Sequence, residues 1–212
     1  MLTLSDVYTT TVNKCNDATN MVAISNTLYE NRMLISFETY TSEFNHCILD
    51  GAFLKVFTAF EFFLEKSFIC FMMGQPGLNG NSIVRYVTPT DIDHAYDFIK
   101  SMSNKFADFT NRDTILKLAK TFFEDGGSYT YLDSIASTFE EMKKVRNAIT
   151  HISESSTIKF ENMVRANLGN LPTCTTTASF LNSFDPQKPS NTFYSKYKTT
   201  VISAIEHIAN PT

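Results

Sequence analysis

The stretch that most limits what this chain can fold into runs from residue 53 to 73. There Phe53, Val56, Phe57, Phe60, Phe63, Leu64 and Phe71 recur at helical spacing and form one broad apolar face. Lys55, Glu61, Glu65 and Lys66 interrupt the run, and charges at those depths are too costly in hydrocarbon for a membrane span. The segment therefore reads as a core helix, ended by Gly74, Pro76, Gly77 and Gly80. Asp50-Gly51 is expected to separate it from what precedes.

The cleanest amphipathic pattern lies further on, at Leu132, Ile135, Phe139, Met142, Val145, Ile149 and Ile152, and predicts a helix from near Thr130 with Asp133 in its first turn. Met21, Ile24, Leu28, Phe37, Tyr40 and Phe44 predict a first helix capped by Asp17 or Thr19. Thr90-x-x-Asp93 and Thr110-x-x-Asp113 announce two shorter helices, the second stopped by Gly126-Gly127. Residues 157–168 and 190–209 read as two more, the former closed by Gly169 and Pro172. Residues 171–188 look loop-like, residues 82–88 form a short extended segment, and no stretch alternates strongly enough for a sheet. The expected fold is all-α, one domain over residues 1–212.

Composition agrees with a folded chain. Of 212 residues 43% are hydrophobic, with 19 Phe against 7 Gly and 6 Pro, too apolar and too poor in breakers for disorder. Cys15, Cys47, Cys70 and Cys174 form no Cys-x-x-Cys pair, which argues against a zinc ribbon or redox motif. Reduced thiols, together with residues 1–11 that lack a secretory pattern, lead to the expectation of a cytoplasmic protein without membrane association. A net charge of −4 excludes a body coated in basic residues that binds nucleic acid indiscriminately, but not a local basic cleft. Lys143, Lys144, Arg146, Lys159 and Arg165 would supply one. Lys143 and Lys144 also suit a plain role, complementing a helix dipole and solvating its surface.

Arg146, Asn147 and His151 combine, near the end of the amphipathic helix, a permanently charged fork for phosphate oxygens, an amide that orients a ligand and an imidazole that moves protons near neutral pH. At about 100° per residue Asn147 and His151 share a face, while Arg146 and His151 point about 140° apart. Either the guanidinium wraps around the helix, or the helix distorts near Thr150, or the site is shared between two chains. The plain reading makes His151 a helix-terminal cation and pairs Arg146 with Glu141 or another acid.

The set resembles the Arg-Asn-x-x-x-His signature of the HEPN superfamily. The helix around Ala52 to Lys66 is similar to the long apolar helix with an Ala-x-Glu-x-x-Leu-type core that HEPN domains of the RiboL-PSP kind place before the motif. The resemblance implies a HEPN-like helical bundle with extra short helices, forming a homodimer whose motif helices meet across its axis. It implies a metal-independent endoribonuclease, using no cofactor, in a toxin or defence system with RNA and an antitoxin or other protein as partners. His151 would act as general base or acid on the 2′-hydroxyl or leaving oxygen, Arg146 would stabilise the charge growing on phosphate, and Asn147 would orient phosphate or histidine. Lys143 and Lys144 would bind RNA, and Glu61 would be auxiliary, contacting Arg146 or polarising the site, whereas Glu65 reads as part of an exposed acidic strip. The chain departs from many members at Ile152, where they carry a small residue. Ile152 would prolong the helix and narrow the cleft.

The rival function is a catalytically silent HEPN-type module that binds RNA or protein with the same cleft, and a third reading is a helical bundle whose motif match is accidental. His46, His94 and His207 look isolated, residues 77–82 lack the lysine of a phosphate loop, and Tyr129 or Tyr131, if exposed, would stack on a base.

Overall fold

The computed structural model describes residues 2–31, 42–103, 107–151, 153–173 and 175–212. Phe37 and Tyr40 of the expected first helix, Ile152 and Cys174 lie outside them. The described chain is predominantly helical, as expected of an all-α fold, with one small two-stranded sheet. It divides into two compact units, one of Met1–Val12, Ala59–Phe139 and Val201–Thr212, the other of Asn13–Thr58 and Glu140–Thr200.

The long helices depart from expectation at their starts. Helix α1 spans Leu4–Glu30, beginning well before Asp17 and Thr19. Its cap is Thr3, whose Oγ1 accepts from the N–H of Asp6 at 3.1 Å. Helix α2 spans Ser42–Met72 and runs straight through Asp50 and Gly51. Helix α3 (Ile92–Ser103) is capped by Asp91, which accepts from the N–H of His94 at 2.8 Å. Helix α4 (Arg112–Phe122) is capped by Asn111, which accepts from Thr114.

In the first unit the sequence from Ser67 to Met72 is buried on every side of α2, which identifies it as an enclosed core helix rather than a half-wetted one. Phe68 is the centre of an aromatic cluster, with ring centroids 4.9 Å from Phe123, 5.1 Å from Tyr129 and 5.8 Å from Phe109. The buried Tyr129 hydroxyl lies 2.8 Å from Ser67 Oγ, so its one polar atom is satisfied. At the end of α2 the guanidinium of Arg85 donates to the carbonyl of Met72 at 2.7 Å and packs against Gly74, whose φ of +80° and lack of a side chain make room for it. The extended segment around Arg85 bridges Phe123 in antiparallel fashion. A 3-10 segment (Glu124–Thr130) and the one-turn α5 (Tyr131–Ser134) follow.

Helix α6 spans Ala136–Thr150, so the amphipathic segment expected from Thr130 to Ile152 is broken at Ile135, which leaves helical geometry at φ −108°, ψ 14°. Neither glycine nor proline marks the break. In the second unit, α7 (Glu154–Leu168) starts at the cap Ser153 and ends at Gly169 with φ 77°. Residues 171–188, expected as loop, contain α8 (Thr177–Asn182), fixed by a reciprocal cap between Thr176 and Ser179, and strand β1 (Phe184–Asp185). Strand β2 (Lys188–Thr192) pairs with β1 antiparallel, and α9 (Phe193–Ala209) therefore starts three residues later than expected. Phe180 stacks on Phe193 at 4.3 Å, and Phe53 meets Tyr197 edge-on at 6.0 Å.

Among the described residues no helix is long and apolar enough to cross a membrane.

Candidate functional site

Helix α6 is held in the second unit by its apolar side. Met142 and Val145 are fully buried, leaving Lys143, Lys144, Arg146 and Asn147 half-buried on the rest of its circumference. Adjacent side chains on a helix do not normally face one another. The length of arginine overcomes this here: Arg146 Nη1 donates to Asn147 Oδ1 at 3.0 Å. The bond consumes one of five guanidinium N–H groups and the amide oxygen, and the amide NH2 of Asn147 remains a donor.

Helix α6 ends at Thr150, and His151 is the first residue past it, exposed, with its N–H still donating to the carbonyl of Asn147 at 2.9 Å. Thr150 Oγ1 donates to the carbonyl of Arg146 at 2.9 Å. Both bonds lie within the motif segment, that of His151 continuing the helical ladder by one residue beyond Thr150. The imidazole of His151 has no hydrogen-bond partner among the described residues.

Charge balance distinguishes this end of α6. Glu141, the acid best placed in sequence to neutralise Arg146, is instead committed to Lys196 at 3.3 Å and to the hydroxyl of Tyr197 at 3.2 Å. Lys196 also pairs with the buried Asp185 at 3.6 Å. Burial, followed by the neighbouring Glu141 carboxylate, pushes the Tyr197 hydroxyl far above its ordinary pKa, so it keeps its proton and donates it to Glu141. Among the described residues Arg146, Lys143, Lys144 and Lys159 form no ion pair, whereas Arg165 pairs with Glu161 at 3.6 Å. The second unit carries eleven Lys/Arg against ten Asp/Glu, the first seven against twelve, so the basic residues gather on the unit that holds the motif.

Glu61 is half-buried, in the part of α2 that belongs to the first unit. Tyr129 is completely buried and unable to stack on a base, because the aromatic cluster around Phe68 encloses it. Tyr131 is half-buried, its ring stacked on His207 at 4.0 Å. His94 stacks on Phe98 at 4.7 Å and lies 3.1 Å from Thr90 Oγ1. No group of three or more His, Cys, Asp or Glu side chains able to hold a metal occurs among the described residues.

The pairing of Tyr131 with His207 escaped sequence reasoning because the two residues are far apart in the chain. Together with Glu124, Asp125 and the segment from Ser82 to Val84 they line a cleft of about 510 Å³ in the first unit. The adjoining Gly126-Gly127 was legible as a turn, but nothing in the sequence placed a histidine beside it.

Comparison with protein-family models, with curated proteins and with solved structures gives no match to this chain.

Proposed function

We propose that the chain is a metal-independent endoribonuclease of HEPN type, acting through Arg146, Asn147 and His151 at the end of α6. The observation that supports this reading most is the set of unneutralised cations on α6, Arg146 above all, on the helix that His151 follows with an exposed imidazole without a partner among the described residues. A guanidinium with no carboxylate on it is a ready ligand for phosphate oxygens. The amide NH2 of Asn147 adds a further donor, and Lys143 and Lys144 extend the positive edge along which an RNA backbone would lie.

In this mechanism neutral His151 removes the proton of a ribose 2′-hydroxyl, and the resulting oxygen attacks the adjacent phosphorus. Arg146 stabilises the negative charge that accumulates on the non-bridging oxygens. The bond from phosphorus to the 5′ oxygen breaks, and the departing oxygen takes a proton from solvent or from the site of a second copy. The products are a 2′,3′-cyclic phosphate and a 5′-hydroxyl. Protonated His151 then returns its proton to water. A homodimer would bring two such sites into one cleft. The toxin or defence setting, the cytoplasmic location and an antitoxin or other protein partner belong to the same reading and rest on the family resemblance.

The test is incubation of the purified chain with a mixed RNA pool in EDTA, followed by analysis of the ends and by a matched oligonucleotide carrying 2′-deoxyribose at the cleaved position. Cyclic-phosphate ends and resistance of the deoxy substrate are expected. RNA that is retained but never cut would assign the chain to the binding-module class.

A further inference from the structure

We propose that the cleft of the first unit bounded by residues 82–84, the 3-10 segment and the end of α9 is a binding site for a guanidinium group, such as the arginine side chain of a basic peptide. The inference does not rest on the ribonuclease reading.

Its lining includes an ordered aromatic pair. The rings of Tyr131 and His207 lie nearly parallel, at 13°, with centroids 4.0 Å apart. One residue holds both. The carbonyl of Ser203 accepts from His207 Nδ1 at 2.8 Å, and its hydroxyl lies 3.2 Å from the hydroxyl of Tyr131. A carbonyl can only accept, so Nδ1 carries the proton and the ring orientation is fixed. His207 is exposed, and the stacked pair lines the cleft. A planar group can therefore add to the stack without first ordering the rings.

The charge beside the pair selects among planar groups. Glu124 and Asp125 line the same cleft, both are exposed, and neither carboxylate has a partner among the described residues. Asp125 has a φ of +50° and is the one described non-glycine residue with a positive φ. The unit as a whole carries twelve acidic residues against seven basic ones. A nucleotide or RNA strand would meet two carboxylates and an acidic surface. An ammonium ion would satisfy the carboxylates but offers no plane to stack, and an uncharged ring would stack but leave them unpaired. A guanidinium does both at once, stacking its face on the aromatic pair and presenting its fork of N–H groups to the acids. The cleft, of about 510 Å³ and open to solvent, has room for an arginine side chain.

The experiment is calorimetric titration of the full chain at low ionic strength with N-acetyl-Gly-Arg-Gly-amide, its citrulline and lysine counterparts, agmatine and adenosine. Saturable binding of the arginine peptide is expected, at least tenfold weaker with citrulline and several-fold weaker with lysine. The double variant Glu124→Gln/Asp125→Asn and the variant His207→Ala should each weaken it at least tenfold, while Glu154→Gln on α7 should leave it unchanged. The double variant alters only exposed side chains without partners among the described residues, so it reports on binding even if His207→Ala perturbs folding. Binding of agmatine with exclusion of the peptide would support the guanidinium site and reject the peptide as its source. Absence of saturation by any guanidine at millimolar concentration, equal binding of the citrulline peptide, or indifference to the Glu124/Asp125 change would overturn the proposal. Adenosine binding abolished by His207→Ala, with no guanidine binding, would make the cleft a nucleobase site instead.

Discussion

Arg146 Nη1 and Asn147 Oδ1 are joined by a 3.0 Å hydrogen bond, so one member of the candidate site orients the other. A free arginine side chain loses rotamer entropy when it grips a phosphate, and the amide of Asn147 has already removed part of that freedom.

Replacement of Asn147 by Ala is therefore expected to lower RNA cleavage through the arginine it positions, by about tenfold or more, and replacement of Arg146 by Ala to lower it by about 10²- to 10³-fold. Neither side chain is in the core, so thermal unfolding should move little. Single-turnover rates and melting curves on the three proteins check both halves of this expectation.

The commitment of Glu141 elsewhere has its own consequence. Lys196 stands between Glu141 and the nearly buried Asp185, and removing it leaves two carboxylates facing each other away from water. Lys196→Ala is expected to destabilise the chain by about 3 kcal/mol or more, whereas Glu141→Gln, which leaves the pair of Lys196 and Asp185 intact, should cost clearly less. Urea titrations of the two variants would separate the cases, and equal losses would contradict the arrangement.

The cysteines give a prediction with a pH sign. Burial pushes the thiols of Cys15 and Cys70 up to about 11, while Cys47 is exposed. The thiolate is the reactive form, so at neutral pH Cys15 and Cys70 should stay unmodified, and their labelling should rise only in strong alkali or on unfolding. Peptide mapping after brief alkylation at pH 7.5 should find label on Cys47 and none on Cys15 or Cys70.

Helix positions were more legible than their ends. The spacing of Phe53, Val56 and Phe57 identified the core face of α2, but Asp50-Gly51 suggested a break that does not occur. A glycine in a helix costs about 1 kcal/mol relative to alanine, and burial of Leu49, Ala52 and Phe53 around it offsets this, at about 1.5–3 kcal/mol for each large side chain. The start of α1 is encoded by Thr3 three residues before Asp6, whereas Asp17, the expected cap, sits mid-helix and pairs with Lys55 at 3.1 Å. The hairpin of β1 and β2 was missed because Phe184 to Thr192 alternates weakly and is mostly polar.

The motif residues themselves were readable, since Arg146, Asn147 and His151 are local to one helix end. What local spacing did not reveal is that Glu141 would be taken by Lys196 and Tyr197, residues distant in sequence whose approach depends on how α9 packs in the second unit. The same limit hid Tyr131 and His207.

The proposed cleavage of RNA by His151 and Arg146 needs no metal. The direct measurement is the cleavage rate of a defined RNA in EDTA by wild type, His151→Ala and Arg146→Ala, each shown to be folded and of the same oligomeric state. Cleavage by the wild type that falls by about 10²-fold or more in each variant is the predicted result. A wild type that leaves the RNA intact, or variants that cut as fast as it does, would contradict the account.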